Sequence, residues 1–91
     1  MASSLAVRVR AGRHSIVGIA TDLGPGGMFV SATETLPYAT EVDVRFGRTD
    51  LGIELNLPAT VRWTTPLGFG LQFGRLGARE TRALLLLLAS A

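Results

Sequence analysis

Ninety-one residues make one small domain with a modest core, and an apolar fraction of 47% is high for a chain of this length. The longest apolar run, Ala83 to Ala89, is far short of the ~20 residues a membrane-spanning helix needs, so no membrane insertion is expected. The sequence has no cysteine and one histidine, and all nine of its basic side chains are arginine, with a net charge of only +2. Disulfide stapling and thiolate metal sites are thereby excluded, and no secretory signature is present, so a cytoplasmic protein is expected. The arginines form no basic block and do not interleave with aromatic residues, which argues against nucleic-acid binding.

Leu5-Ala6-Val7-Arg8-Val9-Arg10 alternates with period two and predicts a first strand, with Leu5, Val7 and Val9 inward and Arg8 and Arg10 outward. Ala11 to His14 is a turn, and Ser15 to Thr21 is the second strand. Gly24-Pro25-Gly26-Gly27 follows as a forced reversal, because proline presets φ near −65° and glycine tolerates φ > 0. The position after proline is the type II site, so Gly26 or Gly27 is expected at positive φ. Met28 to Ser31 is then the third strand, antiparallel to the second.

Ala32 to Thr40 is an irregular connection in which Pro37 disfavours helix. Glu41 to Phe46 alternates cleanly, with Val42, Val44 and Phe46 inward. Gly47 to Gly52 is turn-like. Leu51 to Leu57 alternates again, is interrupted by Pro58 and resumes over Ala59 to Thr64, with Ala59, Val61 and Trp63 expected on one face. Such a proline marks an edge, a bulge or the start of a strand. Phe69, Leu71 and Phe73 point inward from the last strand. Short strands between Gly/Pro turns predict an all-β fold, a six-stranded antiparallel β-barrel over about residues 5–74.

The tail changes character. Residues 77–89 are rich in helix formers and predict a C-terminal α-helix that completes a single domain over 1–91. Five successive leucines exceed a full turn, so they cannot all face the barrel. Leu84, Leu87 and Leu88 form one stripe suited to capping the barrel, and Leu85 and Leu86 fall to another side. A protein partner or self-association through this helix is expected, with Leu84, Leu85, Leu86 and Leu88 as the candidate contacts. No nucleophile–base pair and no metal-ligand spacing appears, so neither an enzyme nor a metal site is expected.

The layout resembles the PilZ domain, a bacterial module associated with cyclic di-GMP sensing. Asp22-Leu23-Gly24-Pro25-Gly26-Gly27 follows the family's Asp/Asn-x-Ser-x-x-Gly turn, with Gly24 in place of the serine. Val61-Arg62-Trp63 resembles its late Val-x-Trp strand, and Gly68 to Phe73 its closing Gly-x-Gly-x-x-Phe strand. Asp22 to Val30 is especially similar to a divergent variant common in myxobacteria.

The family grips cyclic di-GMP with an Arg-x-x-x-Arg pair ahead of the first strand, and no pair with that spacing lies in this region of the sequence. Gly24 also lacks the hydroxyl of the expected serine. Each charge-assisted hydrogen bond is worth roughly 1.5–3 kcal/mol, so losing several removes orders of magnitude in affinity. The residues left to a nucleotide are Arg8, Arg10, Arg13, Asp22, Gly24 and Gly27. The resemblance therefore implies a divergent regulatory adaptor that acts through protein–protein interaction in bacterial motility or polarity signalling. On this reading it needs no cofactor, and cyclic di-GMP binds weakly or not at all. The alternative is a genuine cyclic di-GMP receptor using non-standard arginines.

Overall fold

The first hairpin sets the pattern for the rest of the molecule. In the computed structural model, which describes residues 1–90, β1 (Ala2–Ala11) and β2 (His14–Gly24) pair antiparallel around a two-residue turn at Gly12-Arg13. Residue 91, the expected limit of the domain, lies outside the described residues. Val9 faces Ile16 and Leu5 faces Ala20, so the apolar members of both strands share the inner face. Arg8 and Arg10 lie on the outer face opposite Val17 and Ser15. β1 starts earlier than its alternation suggests, because Ala2 already pairs with Asp22.

β3 (Gly27–Ser31), β4 (Glu41–Arg48), β5 (Ile53–Thr65) and β6 (Gly68–Phe73) complete a closed barrel in the order β1-β2-β3-β6-β5-β4, every neighbouring pair antiparallel. Closure leaves no free edge, which removes the usual hazard of unpaired strand backbone. β5 runs unbroken through Pro58, the residue that interrupts its sequence pattern. The Pro58 carbonyl accepts from the Gly74 N–H at 2.8 Å, on the β6 side, so the absent proline N–H costs no bond in the β4–β5 ladder.

Both barrel ends are closed by apolar side chains. α1 (Ala78–Ala89) covers the end where β6 finishes, and Leu84 and Leu87 are 1% and 2% exposed there. At the other end, Leu36 is buried from the connection between β3 and β4. Between them lies one core that includes Val9, Val30, Val44, Leu57, Val61, Phe69 and Leu71, all fully buried. The Phe46 and Phe73 rings stack with centroids 6.1 Å apart. No helix among the described residues is long and apolar enough to cross a membrane.

Three strand irregularities depart from simple alternation. One extra residue enters β1 between Ala2 and Leu5, one enters β2 at Thr21, and one enters β5 at Arg62. The bulge at Arg62 reverses the face of everything after it. Trp63, expected inward with Val61, is therefore 49% exposed on the outer surface. Its indole lies directly over Gly70, where any Cβ would collide with the ring.

The Gly24-Pro25-Gly26-Gly27 reversal also differs from expectation. Gly24 pairs with Gly27 around Pro25-Gly26, but none of the three glycines adopts positive φ. The turn is thus not type II. Gly27 is required for another reason, because a Cβ there would run into the Leu71 carbonyl oxygen on β6. Gly24 and Gly26 face open space.

Candidate functional site

The tight reversal and the Arg62 bulge together form a cleft. The reversal holds Asp22, Gly24 and Gly27 at the end of β2 and start of β3. Across β6, the bulge turns Trp63 outward beside Arg62. Phe29, Gly70 and Trp63 are register partners on three successive strands, so the glycine lies between two aromatic residues. The resulting cleft has a volume of about 530 Å³ and is lined by Asp22, Gly24, Gly27, Phe29, Arg62, Trp63 and Gln72 among others.

Its polar groups are few and oriented. The Arg62 Nε donates to Gln72 Oε1 at 2.8 Å, which fixes one edge of the guanidinium at the rim. Asp22 Oδ1 accepts from the Met1 α-amino group at 2.8 Å. That hydrogen bond, together with the charge of the amine, holds the Asp22 carboxyl below the usual carboxylate range. The cleft thus offers an indole face, one guanidinium and one carboxylate. Such a set suits stacking and a single charged contact.

The sequence-derived nucleotide residues divide into two groups that do not meet. Asp22, Gly24 and Gly27 line the cleft. Arg8, Arg10 and Arg13 do not, and the reason is strand direction. Asp22 pairs with Ala2, at the opposite end of β1 from its arginines. Arg8 lies six positions along from Ala2, roughly 20 Å along a strand. Arg8 and Arg10 instead line a small hollow with Asp43, Arg45 and Asn56 on the β1/β4 side, and Arg13 sits in the turn beyond. The arginine that does line the cleft is Arg62, which the sequence reading missed along with Trp63 and Gln72. Only the glycine at 70 hints at this arrangement, since it leaves room for a ring from the neighbouring strand.

The second candidate region is α1. Glu80 Oε1 accepts from the Gly77 N–H at 3.1 Å and caps the first turn, where a carboxylate also complements the helix dipole. At the other end the Ser90 hydroxyl donates to the Leu86 carbonyl at 2.8 Å. Arg48 holds Asp50 through Nε and Nη2, the latter at 2.6 Å, and donates from Nη1 to the Ser90 carbonyl at 3.0 Å. The hydrogen bonds from Arg48 lower the Asp50 carboxyl below its ordinary range.

The expected leucine contacts need correction here. Leu84 is buried beneath the helix and cannot reach a partner while the helix stays docked, whereas Leu88 is partly buried against the core. Leu85 and Leu86, each 52% exposed, are the outward pair. The helix has a burial stripe at 84, 87 and 88 because positions three and four apart share a face.

Among the described residues no group of three or more His, Cys, Asp or Glu side chains could hold a metal ion. His14 Nε2 is 2.6 Å from Glu34 Oε2, an exposed pair joining the start of β2 to the β3–β4 connection.

Comparison with solved structures places the fold. The crystal structure of the PilZ domain of CeSA from a cellulose-synthesising bacterium aligns with a TM-score of 0.79 at 22% identity, covering 99% of this chain and 95% of that one. The Bacillus subtilis inhibitor of motility, MotI/DgrA, aligns with a TM-score of 0.77 at 16% identity. That alignment covers 94% of this chain and 46% of the inhibitor, so this chain spans less than half of its length. At these identities the likeness speaks for the fold alone. Comparison with curated protein sequences finds no match. The sequence model of the PilZ domain matches residues 1–90, and the chain belongs to the PilZ domain family.

Proposed function

We propose that this domain is a divergent, non-enzymatic PilZ adaptor that works by protein–protein interaction in the bacterial cytoplasm and binds cyclic di-GMP weakly or not at all. The observation that carries this reading is the separation of Arg8, Arg10 and Arg13 from the Asp22–Gly27 turn. A dinucleotide carries two phosphates and two guanines, and multidentate recognition of them rewards paired guanidinium forks. The cleft has one, on Arg62, and Gly24 contributes no side-chain hydrogen bond. The outward pair Leu85 and Leu86 supports a protein partner, since an apolar pair on a docked helix is free to be covered. Motility or polarity signalling is the pathway class, a placement supported by family membership and by the likeness to an inhibitor of motility.

Isothermal titration of the domain with cyclic di-GMP tests the reading. The expected dissociation constant is no tighter than high micromolar, and a sub-micromolar value overturns it.

A further inference from the structure

We propose that the outer face of β1 and β4 binds a single phosphoryl group between Arg8 and Arg45, at a site separate from the aromatic cleft. Register sets two rows of side chains across four strands there. Val17, Arg8, Arg45 and Asn56 are partners in one row, and Ser15, Arg10, Asp43 and Pro58 in the next. The hollow between the rows has a volume of about 200 Å³ and is lined by Arg8, Arg10, Ser15, Asp43, Arg45 and Asn56.

Its donors are uncommitted. Among the described residues, Arg8 and Arg10 make no ion pair. None of the three arginines, nor Ser15 or Asn56, makes a side-chain hydrogen bond. Arg45 has Glu54 at 3.9 Å, which is beyond hydrogen-bond distance. The one carboxylate in the lining, Asp43, stands opposite Arg10 without coming within ion-pair distance of it. Arg8 directly opposite Arg45 is a like-charge pair that costs stability. An anion seated between the two guanidiniums turns that repulsion into two attractions.

Shape selects the class of anion. A carboxylate lays two oxygens in one plane and is satisfied by one guanidinium fork. A phosphoryl group presents three acceptor oxygens and takes both forks at once. The Asn56 amide, next to Arg45 in the same row, adds a neutral donor. The hollow is smaller than the roughly 300 Å³ at which pockets begin to enclose drug-sized ligands. It therefore suits one phosphoryl group with its waters, and not a dinucleotide. That group is either free phosphate or the phosphorylated side chain of another protein, which present the same oxygens.

Amide NMR titration of the full chain with sodium phosphate, at an ionic strength held fixed with sodium chloride, is the test. Residues 8–10, 43–45 and 56 are expected to shift together and to saturate in the millimolar range, whereas acetate should not saturate them. Hydrogen bonds to charged groups are strong enough that Arg8→Gln or Arg45→Gln should each weaken phosphate at least tenfold. Arg79→Gln makes the same change of charge on α1 and should leave the affinity unchanged. Phosphate should also raise the melting temperature of the parent and not that of Arg8→Gln, because a ligand stabilises only the form that binds it. N-acetyl-O-phosphoserine amide separates the two sources: tighter binding than inorganic phosphate assigns the site to a phosphorylated partner, and weaker binding to the free ion. No saturation by phosphate in the parent up to about 50 mM overturns the proposal. So does an equal response to acetate, or an equal loss in Arg79→Gln. The cyclic di-GMP titration stands apart from all of these outcomes.

Discussion

The two sides of the barrel are built differently. On the β1/β4 side the ladder is regular, with Arg8 opposite Arg45, Val9 opposite Val44 and Arg10 opposite Asp43. Alternation there maps directly onto burial, and Val7, Val9, Val42, Val44 and Phe46 all reach the core. On the β3/β6/β5 side the ladder is interrupted, with bulges at Thr21 and Arg62 and glycines at 27 and 70 taking the close contacts. The regular side presents a solvated, charged sheet. The irregular side presents the aromatic cleft. A bulge re-aims the side chain after it, and a glycine on the neighbouring strand receives that side chain. The chain departs from the period-two rule where it builds the aromatic cleft.

The largest effect expected on the irregular side is at Gly27. Gly27→Val should destabilise the barrel by about 2–3 kcal/mol, because its side chain meets backbone on β6 that cannot move without breaking the ladder. Gly24→Val and Gly26→Val should each cost less than about 1 kcal/mol, since both positions are open. Chemical denaturation of the three variants gives the ranking. Equal losses at all three would mean that turn conformation, and not the β6 contact, sets the requirement.

Trp63 comes next. With its indole half exposed over Gly70, Trp63→Ala should cost about 1–2 kcal/mol. A cost above about 3 kcal/mol would place the ring in the core and remove the contrast between the two sides. Gly70→Ala should lift the indole off the sheet, read as a red shift of the emission of the chain's one tryptophan.

Much of this organisation is legible in the sequence, and the legible parts share a cause. Alternation in residues 5–10 and 41–46 reports burial because the pairing is regular over those residues. The split of α1 into buried Leu84 and Leu87 and exposed Leu85 and Leu86 follows from the helical period alone. The illegible parts depend on a partner strand. Nothing local in Val61-Arg62-Trp63 announces a bulge; it is stabilised by the space over Gly70, seven residues later. Pro58 looks like a break until the Gly74 N–H shows which way its carbonyl points. The candidate site divides the same way. Asp22, Gly24 and Gly27 are visible as a turn, whereas Arg62 and Gln72 join them only through pairing across β6. Arg8, Arg10 and Arg13 are close to Asp22 in sequence, but hairpin direction carries them away from it.

A smaller effect is expected where the β3–β4 connection meets the irregular side. Ala39 has φ of 70°, the one non-glycine residue among those described to adopt positive φ. It is held there by its N–H donating to the Val61 carbonyl at 2.8 Å, next to the Arg62 bulge, and by Thr40, whose hydroxyl donates to the Pro37 carbonyl at 2.7 Å. A left-handed conformation costs an L-residue roughly 1–2 kcal/mol. Ala39→Gly removes that cost and adds some unfolded-state entropy, for a net gain of about 0.5–1 kcal/mol. An unchanged or lower melting temperature would show that the strained backbone is not what limits this corner.

The smallest expected effect tests the regular side. Arg8 stands opposite Arg45, a like-charge pair on neighbouring strands, and no carboxylate lies within ion-pair distance of Arg8 among the described residues. Arg45 has partial relief from Glu54, at 3.9 Å. Like charges directly opposed across strands are destabilising by a few tenths of a kcal/mol or more. Arg8→Gln keeps a polar side chain and its first methylenes and removes the repulsion, so it should stabilise the domain by about 0.2–0.5 kcal/mol at low salt. The gain should vanish near 1 M salt, where the Debye length is about 3 Å. Arg45→Gln should gain less because it also gives up Glu54, and the double variant should gain no more than Arg8→Gln alone. A loss above about 1 kcal/mol in Arg8→Gln, persistent at high salt, would mean that the arginine stem packs on Val17 and that this side is not merely a solvated charged face.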